Sequence, residues 1–165
     1  MVNNRERYLD LLKRSLCFAL WEDPGLPLAV RAYKRGPFAR RAVAAFDGLA
    51  DRLGLRVLQK VDTEGQLEGR KWAMHAHSMI GLARMENVQR CLEQALADDV
   101  PGDVIETGVW RGGTCIFMRG ILAAHDSPRR VFVADSFEGL PPPDASAYPE
   151  DRGDSHYKKD FLAIV

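Results

Sequence analysis

Cysteine is scarce in this 165-residue chain: Cys17, Cys91 and Cys115 are odd in number and have no metal-ligand spacing. That excludes a disulfide framework and a structural zinc site, and it reads as reduced thiols in a cytoplasmic protein. Net charge is also lacking, since 23 Lys+Arg balance 23 Asp+Glu. A sequence pI near 6.9 gives no basic field for nucleic acid. No apolar run approaches the roughly 20 residues that a bilayer span requires, so no membrane is expected. The start, Met1-Val2-Asn3-Asn4-Arg5, passes at once into a polar periodic segment and lacks the pattern of a signal peptide. Internal repeats and low-complexity tracts are absent. What remains is a composition with 46% hydrophobic and 28% charged residues, which fits a globular chain able to bury a core.

The chain changes character near Pro101. We expect residues 1–100 to form a helical N-terminal cap or lid, and 101–165 to begin an α/β domain. Tyr8, Leu11, Leu12, Leu16, Ala19 and Leu20 recur at helical spacing. The helix they predict ends before Asp23-Pro24-Gly25. A turn-rich connection runs from Asp23 to Pro37. Phe38, Ala42, Ala45, Phe46, Leu49 and Leu53 predict a second helix ending at Gly54. Leu55 to Val61 fits either a helix end or a short strand, and Asp62-Thr63-Glu64-Gly65 reads as a polar loop. Ser78 to Ala97 reads as one long helix.

Asp103 to Val109 reads as a short buried strand, and Trp110-Arg111-Gly112-Gly113 as a tight glycine turn. Thr114 to Ala124 is helical in length, with Thr114 as its cap. Arg130 to Asp135 reads as a second strand ending on an acid. Strand, helix, strand over roughly 30 residues is a βαβ unit with a right-handed crossover. A loop with four prolines then runs from Ser136 to His156.

Gly108, Gly112 and Gly113 sit where the strand turns into the helix. Glycine there permits positive φ and close approach of a ligand. The N–H groups at the helix start favour a carboxylate or other anion. Asp135, at the end of the next strand, suits ribose hydroxyls. The spacing G-x-x-x-G-G is not the G-x-G-x-x-G of dinucleotide enzymes, and the Gly-Lys-Ser/Thr of a phosphate loop is missing. Glu106, two residues before Gly108, repels a pyrophosphate and suits the ammonium of an amino acid, as on S-adenosylmethionine. Simple turn-making remains the alternative reading of the glycines.

Glu106-Thr107-Gly108-Val109-Trp110-Arg111-Gly112-Gly113, followed by Ala134-Asp135-Ser136-Phe137-Glu138-Gly139-Leu140-Pro141, resembles the macrocin O-methyltransferase family. The resemblance extends to Tyr8, Leu11-Leu12-Lys13 and Trp21-Glu22-Asp23-Pro24, and to His77-Ser78-Met79-Ile80-Gly81 with Asn87 and Arg90-Cys91-Leu92. It implies a Rossmann-like S-adenosylmethionine-dependent methyltransferase fold, cut short after the second strand, with a helical N-terminal region. It implies methylation of a sugar or phenol hydroxyl in antibiotic biosynthesis, with a small-molecule acceptor; a homo-oligomer is the expected assembly. Carried over by position, Ser78 and Met79 border the methionine end of the cofactor. Glu106, Thr107 and Gly108, with Gly112 and Gly113, line its amino-acid and ribose side. Asp135 takes the ribose hydroxyls, with Ser136 and Phe137 beside the adenine. The family also implies Mg2+, but its metal-binding aspartates and catalytic base are expected beyond Val165, so no metal ligand is assigned here.

Two other readings stay open: a nicotinamide-dinucleotide oxidoreductase built on the same βαβ unit, and a non-catalytic interaction or oligomerisation remnant. His75 and His77, two apart, do not share a helix face. His156 beside Asp151 and Asp154 reads either as a polar loop or as a metal or acid–base site. Trp21, Trp72 and Trp110 are expected to pack, with pocket-shaping as the alternative for Trp110 in the glycine turn; Arg40 and Arg41 are expected on a solvated face, and Cys115 as a small buried apolar residue.

Overall fold

The computed structural model describes residues 3–25, 27–28, 36–58, 60–71, 73, 75–138, 144 and 146–151. Helix α1 spans Asn4–Leu16 and begins with a capping box. The Asn3 side chain accepts from the Glu6 amide at 2.9 Å, and the Glu6 carboxylate accepts from the Asn3 N–H at 3.2 Å. The helix stops at Leu16, short of the expected Leu20. Phe18 takes φ 57°, a left-handed backbone that the α-helical ladder cannot include. Trp21 stays exposed instead of packing into the core, and its ring meets only Phe18 at 5.2 Å among the described rings.

Helix α2 spans Pro37–Arg52, with proline in its first turn where the missing N–H costs nothing. Arg40 and Arg41 are exposed on it, as expected. A five-residue helix, α3, spans Thr63–Leu67 where a loop was expected. The Asp62 carboxylate caps it by accepting from the Gly65 amide at 2.9 Å. Around Leu58 there is neither helix nor strand, only an isolated antiparallel bridge to Pro27. Helix α4 spans Gly81–Ala97. Ser78 to Ile80 lie before it, because the His77 and Ser78 amides donate to the Leu16 carbonyl at 2.8 and 3.1 Å. Trp72, residues 139–143 and 145, and the segment holding Asp154, His156 and Phe161 to Val165 lie outside the described residues.

Strand β1 spans Val104–Thr107, helix α5 spans Gly113–Ala124 and strand β2 spans Val131–Ala134. The strands are parallel, with Val104 opposite Val131 and Thr107 opposite Ala134. Both are shorter than the sequence spans that suggested them. Helix α5 starts one residue early: its N-cap is Gly112 at φ 76°, and Thr114 makes no cap. Val104, Glu106, Val131 and Val133 share the sheet face toward α5, by the alternation of the strand. On the other face Ile105 is 61% and Phe132 47% exposed.

The core lies between α1, α4 and α5. Leu9, Met85, Phe117, Ile121 and Leu122 are its fully buried side chains. Each contributes about 1.5–3 kcal/mol on leaving water. Lys13 of α1 is buried as well, 7% exposed, and bridges to α4 through an ion pair with Glu86 and a hydrogen bond to Gln89 Oε1 at 3.1 Å. Its stem fills apolar space while its ammonium reaches the exposed Glu86. Lys13→Ala is expected to lower unfolding stability by about 1–2 kcal/mol, and Lys13→Met by less than about 1 kcal/mol. Urea denaturation of the two variants checks this order.

Two compact units divide at Asp135 and Ser136. In the second, the Asp144 carboxylate accepts from the Ser146 and Ala147 amides at 3.0 and 3.1 Å, before a 3-10 turn at Pro149–Asp151. The Ser146 hydroxyl, then these amides, hold the Asp144 carboxyl below the usual carboxylate range.

Candidate functional site

The carboxyl ends of the two parallel strands meet at the glycine turn. The Gly108 amide donates to the Ala134 carbonyl at 2.9 Å and extends the strand pairing by one step. The next amide, that of Val109, donates to Asp135 Oδ2 at 2.6 Å. Asp135 is thereby tied to the turn. Gly108 has φ 80°, and an added Cβ would meet nothing within 4 Å. The backbone there is left-handed with open space beside it, which suits a ligand passing close. Trp110 is also left-handed, at φ 52°, a conformation that strains a residue with a side chain. The Arg111 guanidinium lies 4.6 Å from the centre of the Trp110 ring and donates to the Ala76 carbonyl at 3.1 Å.

Gly113 does a different job. Its amide donates to the His77 carbonyl at 3.0 Å. An added Cβ would sit against that carbonyl, 2.5 Å from its carbon and 2.7 Å from the Ser78 nitrogen. So this glycine admits the backbone of the protein itself, and one amide of the helix start is already used internally. The segment 77–78 therefore joins the end of α1 to the start of α5. Ser78 is buried there, with its hydroxyl 3.4 Å from the Thr114 hydroxyl and 3.4 Å from the Ile80 amide. Met79 beside it is half-buried. His75 and His77 are exposed, and the His75 ring lies 5.3 Å from that of Phe18.

Glu106 is half-buried on β1 and makes no ion pair among the described residues. Its Oε2 accepts from the Cys115 thiol at 2.7 Å. Cys115 is buried as expected, but it is a hydrogen-bond donor rather than a purely apolar filler. Strand alternation and the first turn of the following helix together bring these two residues to one face. Burial, then the hydrogen bond and charge of Glu106, push the Cys115 thiol up to about 12. Burial also pushes Cys17 up to about 11, against the opposing charge of Lys13. Both thiols thus stay protonated at neutral pH. Iodoacetamide at pH 8 is expected to modify the exposed Cys91 and to spare Cys17 and Cys115 in the folded chain, as read by peptide mass spectrometry. Both raised values also predict stability that is full below about pH 9 and falls as pH rises through the folded-state values near 11 and 12.

Thr107 closes β1, and its side chain falls on the open face of the sheet by alternation. Ser136 and Phe137 open the second unit; Phe137 is exposed, and the Ser136 hydroxyl accepts from the Glu138 amide at 3.3 Å. A largely apolar groove of about 470 Å³ runs beside α5, lined by Tyr8, Leu12, Ile116, Arg119 and Val133 among others. Gly108, Gly112 and Asp135 are not among its lining residues. No group of three or more His, Cys, Asp or Glu side chains suited to a metal ion exists among the described residues. No helix among them is long and apolar enough to cross a membrane.

The family described as Macrocin-O-methyltransferase (TylF) matches residues 5–165. The chain belongs to this family. Curated relatives are similar over most of its length. An 8-demethyl-8-(2,3-dimethoxy-alpha-L-rhamnosyl)-tetracenomycin-C 4'-O-methyltransferase of Streptomyces olivaceus is 42% identical over 149 residues, 90% of this chain and 47% of that protein. A demethyldecarbamoylnovobiocin O-methyltransferase of Streptomyces niveus is 40% identical over 159 residues, 96% of this chain and 52% of that protein. A mycinamicin III 3''-O-methyltransferase of Micromonospora griseorubida is 42% identical over 137 residues, 82% of this chain and 44% of that protein. The solved structure of the O-methyltransferase NovP aligns with a TM-score of 0.64 and 39% identity, over 90% of this chain and 49% of that one. The architecture is accordingly the Rossmann-like methyltransferase one with a helical N-terminal region. The chain spans about half the length of the curated relatives it matches.

Proposed function

We propose that this chain binds S-adenosylmethionine at the glycine turn and serves transfer of its methyl group to a hydroxyl of a sugar or phenol. The carrying observation is the Asp135–Val109 hydrogen bond, which holds an acid at the turn beside the open backbone of Gly108. An acid so held can accept from both hydroxyls of a ribose. Glu106, with no cationic partner among the described residues, suits the ammonium of the methionine end. A pyrophosphate in its place would face that same carboxylate, which disfavours a nicotinamide dinucleotide. Ser78 and Met79 are assigned to the methionine end, Thr107, Gly112 and Gly113 to the wall of the turn. Ser136 and Phe137, next in the chain after Asp135, are assigned to the adenine on the family pattern.

The cofactor supplies a methyl group on a sulfonium, which leaves readily to an oxygen nucleophile. The part of these residues is to bind and orient it, so that bound geometry replaces a bimolecular encounter. The Mg2+ implied by the family has no ligand set among the described residues, and none of the residues named here acts through it. The supporting comparisons are the three relatives named as O-methyltransferases of antibiotic compounds. In this reading residues 1–100 form the helical cap and 101–165 begin the cofactor-binding domain. A homo-oligomer is the proposed assembly. The exposed Phe38, Phe46, Leu49 and Leu53 along α2 support it, and light scattering that reads a monomer counts against it.

S-adenosylhomocysteine is expected to raise the thermal unfolding midpoint of the chain, and NAD to leave it unchanged. Protection by NAD alone overturns the proposal.

A further inference from the structure

We propose that the Cys115 thiol is a positioning group for Glu106: by donating its hydrogen to Oε2 it fixes the carboxylate that receives the cofactor's ammonium. This inference rests on the cofactor reading above and names how one of its contacts is prepared.

Cys115 is 7% exposed, in the first turn of α5, and its sulfur lies 2.7 Å from Glu106 Oε2. Glu106 is on the α5 face of β1, so the pair spans the junction of strand and helix directly under the glycine turn. A residue needed only for volume there would have no polar task. Here the thiol is the one hydrogen-bond donor that reaches Glu106 among the described residues.

The chemistry suits the task. A carboxylate at the end of a glutamate side chain rotates broadly about its last torsion. One hydrogen bond at Oε2 removes that freedom before the ligand arrives, so less ordering remains to be done on binding. Thiols are weak donors, so the bond neutralises little of the charge that attracts an ammonium. The thiol also keeps its proton: with its pKa pushed up to about 12, it remains a donor at neutral pH. A hydroxyl at this position would donate in the same sense. Alanine keeps only the Cβ, donates nothing and leaves the sulfur's space empty, so the ligand lacking the amino-acid group serves as the control for packing.

The test uses the full chain and two ligands that differ only where Glu106 is expected to act. S-adenosylhomocysteine carries the amino-acid group; 5′-methylthioadenosine carries the adenosine and the sulfur without it. Cys115→Ala is expected to weaken S-adenosylhomocysteine about fivefold and leave 5′-methylthioadenosine unchanged. Cys115→Ser is expected to restore binding to within about twofold of the original chain. Glu106→Gln is expected to cost about twentyfold for S-adenosylhomocysteine. In that background Cys115→Ala should add nothing, since the thiol acts through the glutamate. Equal losses for both ligands in Cys115→Ala, or a full fivefold loss added on top of Glu106→Gln, overturn the positioning role and leave the cofactor reading intact. Failure of the unsubstituted, folded chain to bind either compound overturns the cofactor reading and this inference with it. The cycle with Glu106→Gln decides the matter even if Cys115→Ser does not fold.

Discussion

Asp135→Ala is expected to weaken S-adenosylhomocysteine binding about a hundredfold or more, as read by equilibrium dialysis. The proposed ribose contact supplies two hydrogen bonds to a charged acceptor, each worth about 1.5–3 kcal/mol. The same carboxylate accepts from the Val109 amide at 2.6 Å, and Val109 is buried. Alanine therefore removes a ligand group and also leaves a turn amide without its acceptor. Asp135→Asn separates the two effects. Its side-chain carbonyl still serves the Val109 amide, so the turn holds, while the lost charge costs about tenfold. The expected order is original chain, then Asn, then Ala. Binding by the alanine variant at the original strength contradicts the assignment of Asp135 to the cofactor.

Gly113→Ala is expected to damage the fold more than any other single methyl added at the turn. The new Cβ meets backbone, 2.5 Å from the His77 carbonyl carbon, and that backbone is not able to move away. The His77 and Ser78 amides are both bonded to the Leu16 carbonyl, and the His77 carbonyl to the Gly113 amide itself. Overpacking against such a fixed neighbour costs about 3 kcal/mol or more. For a domain of this size that lowers the thermal midpoint by roughly 6–12 °C. Gly108→Ala makes the contrast. Its Cβ meets nothing within 4 Å, so only the left-handed φ of 80° opposes it, at about 1–2 kcal/mol. That variant is expected to remain folded and to lose cofactor affinity, because the methyl occupies the space beside the turn. Circular dichroism melts and the same dialysis assay separate the two glycines. Equal stability loss in both contradicts the division of labour.

The periodic parts of this fold are legible in the sequence, and its junctions are not. The apolar spacing of Tyr8 to Leu16 and of Met85 to Leu96 finds α1 and α4, and the two β-branched runs find β1 and β2. The ends depend on contacts distant in sequence. Ser78 to Ile80 has helical composition, yet the Leu16 carbonyl claims the amides of His77 and Ser78. Thr114 is a good cap residue by type, but Gly112 reaches the left-handed backbone that opens α5. Asp62 followed by Gly65 looks like a loop until the carboxylate is seen to cap α3. At the candidate site, the motif singles out Glu106, Gly108 and Asp135 as the proposed cofactor contacts, from their chemistry and their place at the carboxyl ends of the strands. It does not distinguish Gly108 from Gly113, because one faces open space and the other faces the chain's own backbone. Nor does it pair Cys115 with Glu106. That pairing becomes visible only once β1 and α5 are in register, since each residue alone has an ordinary explanation.

The central claim is that the turn after β1, with Glu106 and Asp135, is a binding site for S-adenosylmethionine. Calorimetric titration of the folded chain with S-adenosylhomocysteine tests it most directly. One saturable site per chain, weakened by Glu106→Gln and lost in Asp135→Ala, is the predicted result. A folded chain that gives no heat of binding, or that binds equally well without these two carboxylates, contradicts it.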